Sequence, residues 1–284
     1  MTKLKLAIIG TNGIPAKYGG FETLAENLAI KLSQQYEIEV YCSLPNQVEK
    51  LDHFNGAKLI YLPLKANGWQ SFFYDFISSM RAFLRSDVIL ILGPACGLVI
   101  PGRYFFRKKV LVNHGGLDEW KREKYSFFKR GLVWINHYAA AKFSNINIVD
   151  NMELEASLRS NFNVSSKVIR YGGDHVLTNQ GNDCLVDKYS FASKPYFLCV
   201  ARAQVDNNLH MILEAFESNK NDTLVMISNW RVSDYALELQ QKYKSFENII
   251  LLDAIYDQSE LNFIRKNASC YVHSHSRCGT APSL

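Results

Sequence analysis

Four polar stretches in this 284-residue chain have residue types and spacings that could do chemistry. The first, GTNGIPAKYGGFET, spans residues 10–23 and puts Gly19 and Gly20 just ahead of an apolar periodic run. Backbone N–H groups bared at such a helix start attract phosphate or sugar oxygens, and missing side chains allow close approach. The second, NHGGLDEWKREKY at 113–125, sets His114, Asp118 and Glu119 beside a glycine turn, where a substrate hydroxyl could be held or its proton moved. The alternatives are local: His114 satisfying nearby backbone, and Asp118 capping the following helix. Trp120, Lys121, Arg122 and Lys124 combine a large ring with cations, which suits carbohydrate stacking or contact with phosphate. The third, ARAQVDNNLHMILEAF at 201–216, places Arg202 beyond a strand and Asn207 and Asn208 in the turn that starts a helix. A diphosphate fits there; a surface salt bridge is the plainer use of Arg202. The fourth, HSHSRCGTAPSL at 273–284, ends a strand in His273 and His275 with Cys278 beyond. H-x-H-x-x-C raises metal, but a zinc site needs three or four converging ligands and no partner cluster is visible, so the expectation is no metal.

Residues of this kind act only if strands and helices bring them to one edge. Short β-type apolar runs alternate with helical patterns, which is the signature of parallel sheets joined by crossover helices. Strands are expected at Leu6–Ile9, Ile38–Tyr41, Lys58–Tyr61, Val88–Leu92, Val110–Val112 and Ile146–Val149, then at Tyr196–Val200, Thr223–Ile227, Ile249–Leu252 and Ser269–His273. The clearest helix runs from Gly20 to about Gln35, with Phe21, Leu24, Ala25, Leu28, Ala29 and Leu32 on one stripe. Later helices are expected near Leu209–Glu217, Asp234–Tyr243 and Ser259–Lys266. Periodicity fails after Tyr171, so the expected organisation is an acceptor-side domain at 1–175, a linker at 176–194 and a second, incomplete Rossmann-like domain at 195–284. In open α/β sheets ligands bind beyond the carboxyl ends of the strands, where all four polar stretches fall.

Composition fits a globular chain: 48% of residues are hydrophobic and 21% charged, enough apolar material for a full core. The net charge of +5 is uneven: 22 Lys and Arg face 15 Asp and Glu up to His175, and 10 face 12 after it. Cations between Arg103 and Arg130 interleave with Tyr104, Phe105, Phe106, Trp120, Tyr125, Phe127 and Phe128, a combination suited to an anionic membrane face or a lipid-linked phosphate. Nucleic acid is not expected, since no recognisable module accompanies the patch. Six cysteines, Cys42, Cys96, Cys184, Cys199, Cys270 and Cys278, lack any CxxC pair and read as reduced core thiols. A dinucleotide oxidoreductase is disfavoured, because GTNGIP is not GxGxxG and the second strand ends in Cys42 and Ser43 rather than an acidic residue. The absence of a signal-like start or a long apolar run leads to an expected cytoplasmic location, peripheral to the inner membrane face.

Taken in order, GTNGIPAKYGGFETLAENLA, VNHGGLDEWKREK, VIRYGGD, ARAQVDNNLHMILEAF and YVHSHSRCGTAPSL resemble landmarks of rhamnosyltransferase-like enzymes of glycosyltransferase family 4. The resemblance implies a GT-B fold, no metal or other cofactor, and a nucleotide-diphosphate sugar donor on the second domain. It also implies an acceptor on the first, often a lipid-linked saccharide. It places Arg202 as diphosphate ligand, Gly19 and Gly20 as the family's glycine pair, and Gly279, Thr280 and Ser283 in the donor-side turn. Asn207 or Asn208 stands where many relatives have lysine, and the acidic residue near His114 is displaced. The family's donor-binding glutamate would lie past Leu284, so the expectation is a C-terminally truncated chain of weak or no turnover.

The resulting expectation is a retaining glycosyltransferase of cell-surface or capsular polysaccharide synthesis. The alternatives are a non-catalytic module that binds the acceptor or a partner enzyme, and a GT-B-shaped sugar-nucleotide epimerase.

Overall fold

A computed structural model describes residues 3–16, 19–46, 50–116, 118–121, 125–172 and 183–275. The chain divides into two compact units, one ending at Tyr171 and the other starting at Gly172.

The first unit is built on β1 (Leu4–Ile9), β2 (Tyr36–Ser43), β3 (His53–Phe54), β4 (Ala57–Leu62), β5 (Val88–Leu92), β6 (Lys109–His114), β7 (Ile146–Val149) and β8 (Lys167–Val168). They form one sheet in the order β3-β4-β2-β1-β5-β6-β7-β8, parallel except where β3 meets β4. The helices are α1 (Gly20–Leu32), α2 (Ser71–Arg85), α3 (Gly102–Phe106), α4 (Phe127–Phe143) and α5 (Met152–Phe162). The strand order reverses between β1 and β5, and right-handed crossovers then require α1 and α2 to cover opposite faces. The two cores agree: α1 packs Ala25 and Ala29 on Leu6, Ile8, Ile38 and Val40, while α2 packs Tyr74, Ala82 and Phe83 on Ala7, Ile9, Ile89 and Ile91. Strands covered on both faces need apolar residues throughout, which is why LAII and VILIL read as continuous runs.

The second unit is a four-stranded parallel sheet of β9 (Phe197–Val200), β10 (Leu224–Ser228), β11 (Ile249–Asp253) and β12 (Cys270–Tyr271), in the order β11-β10-β9-β12. Helices α6 (Asp183–Lys188), α7 (Leu209–Ser218), α8 (Asp234–Tyr243) and α9 (Gln258–Asn267) accompany it. Side-chain caps start two of them: Ser233 Oγ accepts from Ala236 N at 3.3 Å, and Asp257 Oδ1 from Glu260 N at 2.9 Å.

Two expectations need correction here. The described part of the proposed linker is not a connector: Leu185, Tyr189 and Phe191 join the second unit's core, and Tyr189 Oη and Lys188 Nζ both reach Glu260, at 3.0 and 2.6 Å. Its weak periodicity reflects one short helix and a 3-10 turn at Ser190–Ser193. The last strand stops at Tyr271, so His273 lies beyond it. Cys42, Cys96 and Cys199 are buried free thiols, whereas Cys270 is exposed; Cys278 and the Cys184 side chain lie outside the described residues.

Candidate functional site

The loop after β1 is braced by α1's own carboxylates. Glu22, buried in the helix's first turn, accepts from Asn12 N at 2.8 Å and Asn12 Nδ2 at 3.1 Å through Oε1. Glu26 Oε2 accepts from Ala16 N at 2.8 Å. Both links span ten residues and pin the loop back onto the helix. Gly10, at φ +89°, is confined by its neighbour: a Cβ there would meet the Leu92 carbonyl oxygen at 2.3 Å. Gly19 is the N-cap with extended backbone at φ −167°, and Gly20 opens α1. The negative charge of Glu22 already lies at that helix start, so the position suits a hydroxyl better than a phosphate.

At the ends of β6 and β7 lies a buried polar cluster. His114, which ends β6 rather than sitting in a loop, is 1% exposed, and its Nε2 is 2.9 Å from Asn147 Oδ1. Asn147 Nδ2 donates to the carbonyls of Ala141 and Ser165, and Ser144 Oγ donates to Oδ1. That network assigns Oδ1 as an acceptor and therefore puts the His114 proton on Nε2. The lone pair on Nδ1 is buried and has no hydrogen-bond partner among the described residues. Burial lowers the His114 pKa to about 4, with Asn147 opposing and His137 adding to the effect. Such an imidazole is neutral at pH 7 and a weak base; it can hold a hydroxyl rather than deprotonate one.

The neighbouring candidates divide by surroundings. Asp118, at φ +44°, accepts from Ser157 Oγ at 2.7 Å and Asn161 Nδ2 at 3.3 Å and pairs with Lys121 Nζ at 2.5 Å, so its side chain ties the turn to α5 instead of capping a following helix. Glu119 folds over Gly116, where a Cβ would meet its Oε1 at 2.6 Å, and its Oε2 is 3.6 Å from His137 Nε2. That separation is ion-pair range but too long for a hydrogen bond. Trp120 corrects the expectation of a stacking or membrane ring: it is 9% exposed and packs on His137 and Phe162, at ring separations of 5.0 and 5.4 Å. Lys121 is exposed; Arg122 and Lys124 lie outside the described residues.

Sequence reasoning missed the rest of this edge. Tyr171, whose pKa burial raises to about 12 with the Asp150 carboxylate adding to the effect, lies near Asn113 and Asp150. Asp150, Asn151, Met152, Glu153, Arg170 and Tyr171 line an open depression of about 540 Å³ beyond β7 and β8. The missed signal was position: Asp150 and Asn151 join the end of β7 to α5, and Arg170 and Tyr171 come just past the end of β8.

In the second unit, Arg202 is exposed two residues past β9. Asn207 Nδ2 donates to the Arg202 carbonyl at 2.8 Å, Ser274 Oγ to the Asn207 carbonyl at 2.6 Å, and Asn208 Nδ2 to the Ser274 carbonyl at 3.0 Å. The structure thus draws Arg202, Asn207, Asn208 and the segment after β12 together. Asn207 is buried and holds the loop; it is a positioning residue. Amides at the start of α7 are partly committed, since His210 N donates to Tyr235 Oη and Met211 N to the Asn208 carbonyl. His273 stacks on His275 with centroids 4.1 Å apart, and burial lowers its pKa. Gly279, Thr280 and Ser283 lie outside the described residues. Among the described residues, no three His, Cys, Asp or Glu side chains could hold a metal ion, and no helix is long and apolar enough to cross a membrane.

Two Rossmann-like units in series, with polar groups gathered at their strand ends, define an α/β architecture of GT-B type. Residues 3–174 match the family described as Domain of unknown function (DUF1972), and the chain belongs to that family. The structure is similar to that of HepE from Anabaena in complex with UDP and glucose, at a TM-score of 0.68 and 12% identity, covering 95% of this chain and 74% of that one. It also resembles S. aureus MnaA in complex with UDP, at a TM-score of 0.61 and 15% identity over 95% and 73% of the two chains. The UDP-GlcNAc 2-epimerase of Methanocaldococcus jannaschii in complex with UDP-GlcNAc and UDP matches at 0.58 and 15%, over 95% and 78%. At these identities the likeness establishes the fold. No curated protein matches the chain.

Proposed function

We propose that this protein is a glycosyltransferase that takes a sugar from a nucleotide-diphosphate donor, with rhamnose on deoxythymidine or uridine diphosphate as the leading candidate. The observation that carries the reading is the braced loop after β9, in which Asn207 and Asn208 tie the Arg202 backbone to the segment following β12 while the Arg202 side chain stays exposed just past a strand end. A guanidinium there neutralises a leaving diphosphate, which is electrostatic stabilisation of the transition state. Supporting it, the fold is shared with proteins whose structures hold UDP or a UDP-sugar. The first unit would take the acceptor, a lipid-linked saccharide, with the His114 lone pair and the depression at Tyr171 as hydroxyl-holding groups. Transfer would proceed with retention and without metal.

Titration calorimetry with UDP-glucose and a deoxythymidine-diphosphate sugar tests the donor site. Replacing Arg202 by Ala is expected to weaken binding roughly 10- to 100-fold, the worth of a charge-assisted contact. Unchanged affinity in the variant, or no binding of any nucleotide sugar to the wild-type chain, refutes the reading. A second reading, a sugar-nucleotide epimerase, is favoured by the fold shared with UDP-GlcNAc 2-epimerase. Conversion of the donor to its epimer in the absence of acceptor would select it.

A further inference from the structure

Helices α2 and α4 are amphipathic in the inverted sense. The face α2 turns inward carries Asp75, Ser78 and Ser79 along with Tyr74, Ala82 and Phe83. Its outer face and the 3-10 turn that leads into it expose Trp69, Phe72, Phe73, Phe76 and Leu84, with Trp69 at 77%. Likewise α4 buries Asn136, His137 and three alanines while Phe127 and Phe128 stand 86% and 87% exposed. Exposed aromatic surface of this extent marks a docking face. Both helices belong to one layer, since each packs on the 3-10 segment Pro94–Val99. Both also begin at the same edge of the parallel sheet, the one bearing the strand ends.

Charge decides what the face meets. Asp75 is the only carboxylate on α2, α3 or α4, and it is buried. Arg81, Arg85, Arg107 and Lys129 are exposed around the rings. A second copy of the chain would set like charges against each other. An anionic bilayer matches both features, with rings at headgroup depth and cations on phosphates.

We propose that the outer face and leading turns of α2 and α4 form a docking surface for an anionic phospholipid membrane. This rests on surface chemistry alone and stands or falls independently of nucleotide-sugar binding. Seated this way, the first unit would turn the edge carrying His114 and Tyr171 towards the bilayer surface.

Co-sedimentation with vesicles of mixed phosphatidylglycerol and phosphatidylcholine, against pure phosphatidylcholine, tests it on the full chain. Selective binding to the anionic vesicles is expected, weakening as salt rises. Joint replacement of Trp69, Phe127 and Phe128 by Ser should reduce partitioning at least tenfold without shifting the unfolding midpoint, because these three rings are 77–87% exposed. Arg81→Gln and Arg85→Gln should each cost about fivefold. The proposal is overturned by equal binding to neutral vesicles, by a serine variant that sediments like the wild type, or by a dimer that needs these rings and excludes vesicles.

Discussion

Asp75 offers the sharpest quantitative test, because its environment sets both the sign and the size of a pH effect. The residue lies in the inward face of α2, and desolvation raises its pKa from 3.8 to about 7, an effect the Cys96 thiol only partly opposes. The folded protein therefore holds a proton on Asp75 that the unfolded chain releases between those values. Stability from this source is full below pH 4, falls as pH rises, and is gone above pH 7. At 1.4 kcal/mol per pH unit the span is worth roughly 4 kcal/mol as a ceiling. His114 runs the other way: its pKa is lowered from 6.5 to about 4, so its contribution is present above pH 6.5 and lost as pH falls to 4, worth roughly 3 kcal/mol. Between pH 4 and 6.5 the two slopes oppose each other. Asn at position 75 keeps the volume and removes the charge. The Asp75→Asn variant should match the wild type near pH 4, within about 1 kcal/mol for altered hydrogen bonding, and exceed it increasingly up to about pH 7, where the difference levels off. Urea unfolding of both proteins at pH 4.5, 6 and 8 reads the difference directly. A difference that is independent of pH, or that shrinks as pH rises, refutes a buried, proton-retaining carboxyl.

Asn147→Ala removes partners from Ser144 and His114 and from the carbonyls of Ala141 and Ser165, and should cost about 2–3 kcal/mol in urea unfolding; because Asn147 holds the His114 pKa up, the acid-linked loss should also extend further below pH 4. Gly97→Ala puts a Cβ 1.8 Å from the Asn136 carbonyl oxygen, so a large loss of thermal stability, or failure to fold, is expected. Gly131→Ala, inside α4 with nothing within 4 Å of the added Cβ, should stabilise by about 0.5–1 kcal/mol; a destabilised variant would refute an open helical position at Gly131.

Much of the scaffold could be read without coordinates, because a parallel strand buried on both faces must be apolar over its whole length. LAII, VILIL and the run at Ile146–Val149 lie where their composition places them, and α8 spans Asp234–Tyr243 as its pattern implies. The two-residue strands β3 and β8 left no such trace, being too short for any period. The candidate site was harder. Loop glycines and Arg202 stood out by type and by position after a strand, but the groups that brace them did not.

The order of residues alone dictated two α/β units, the strand-end placement of the polar loops and a basic, aromatic first half, since these follow from periodicity and composition. Which ring is core and which is surface was decided only in three dimensions. Trp120 and Trp69 are the same residue type, yet one packs against Phe162 and the other is exposed, because burial depends on what the neighbouring helix brings rather than on the side chain. The Glu22–Asn12, Asn147–His114 and Asn208–Ser274 contacts likewise join residues 10, 33 and 66 positions apart. A polar side chain's partner is set by where the chain returns, and that is a property of the folded sheet.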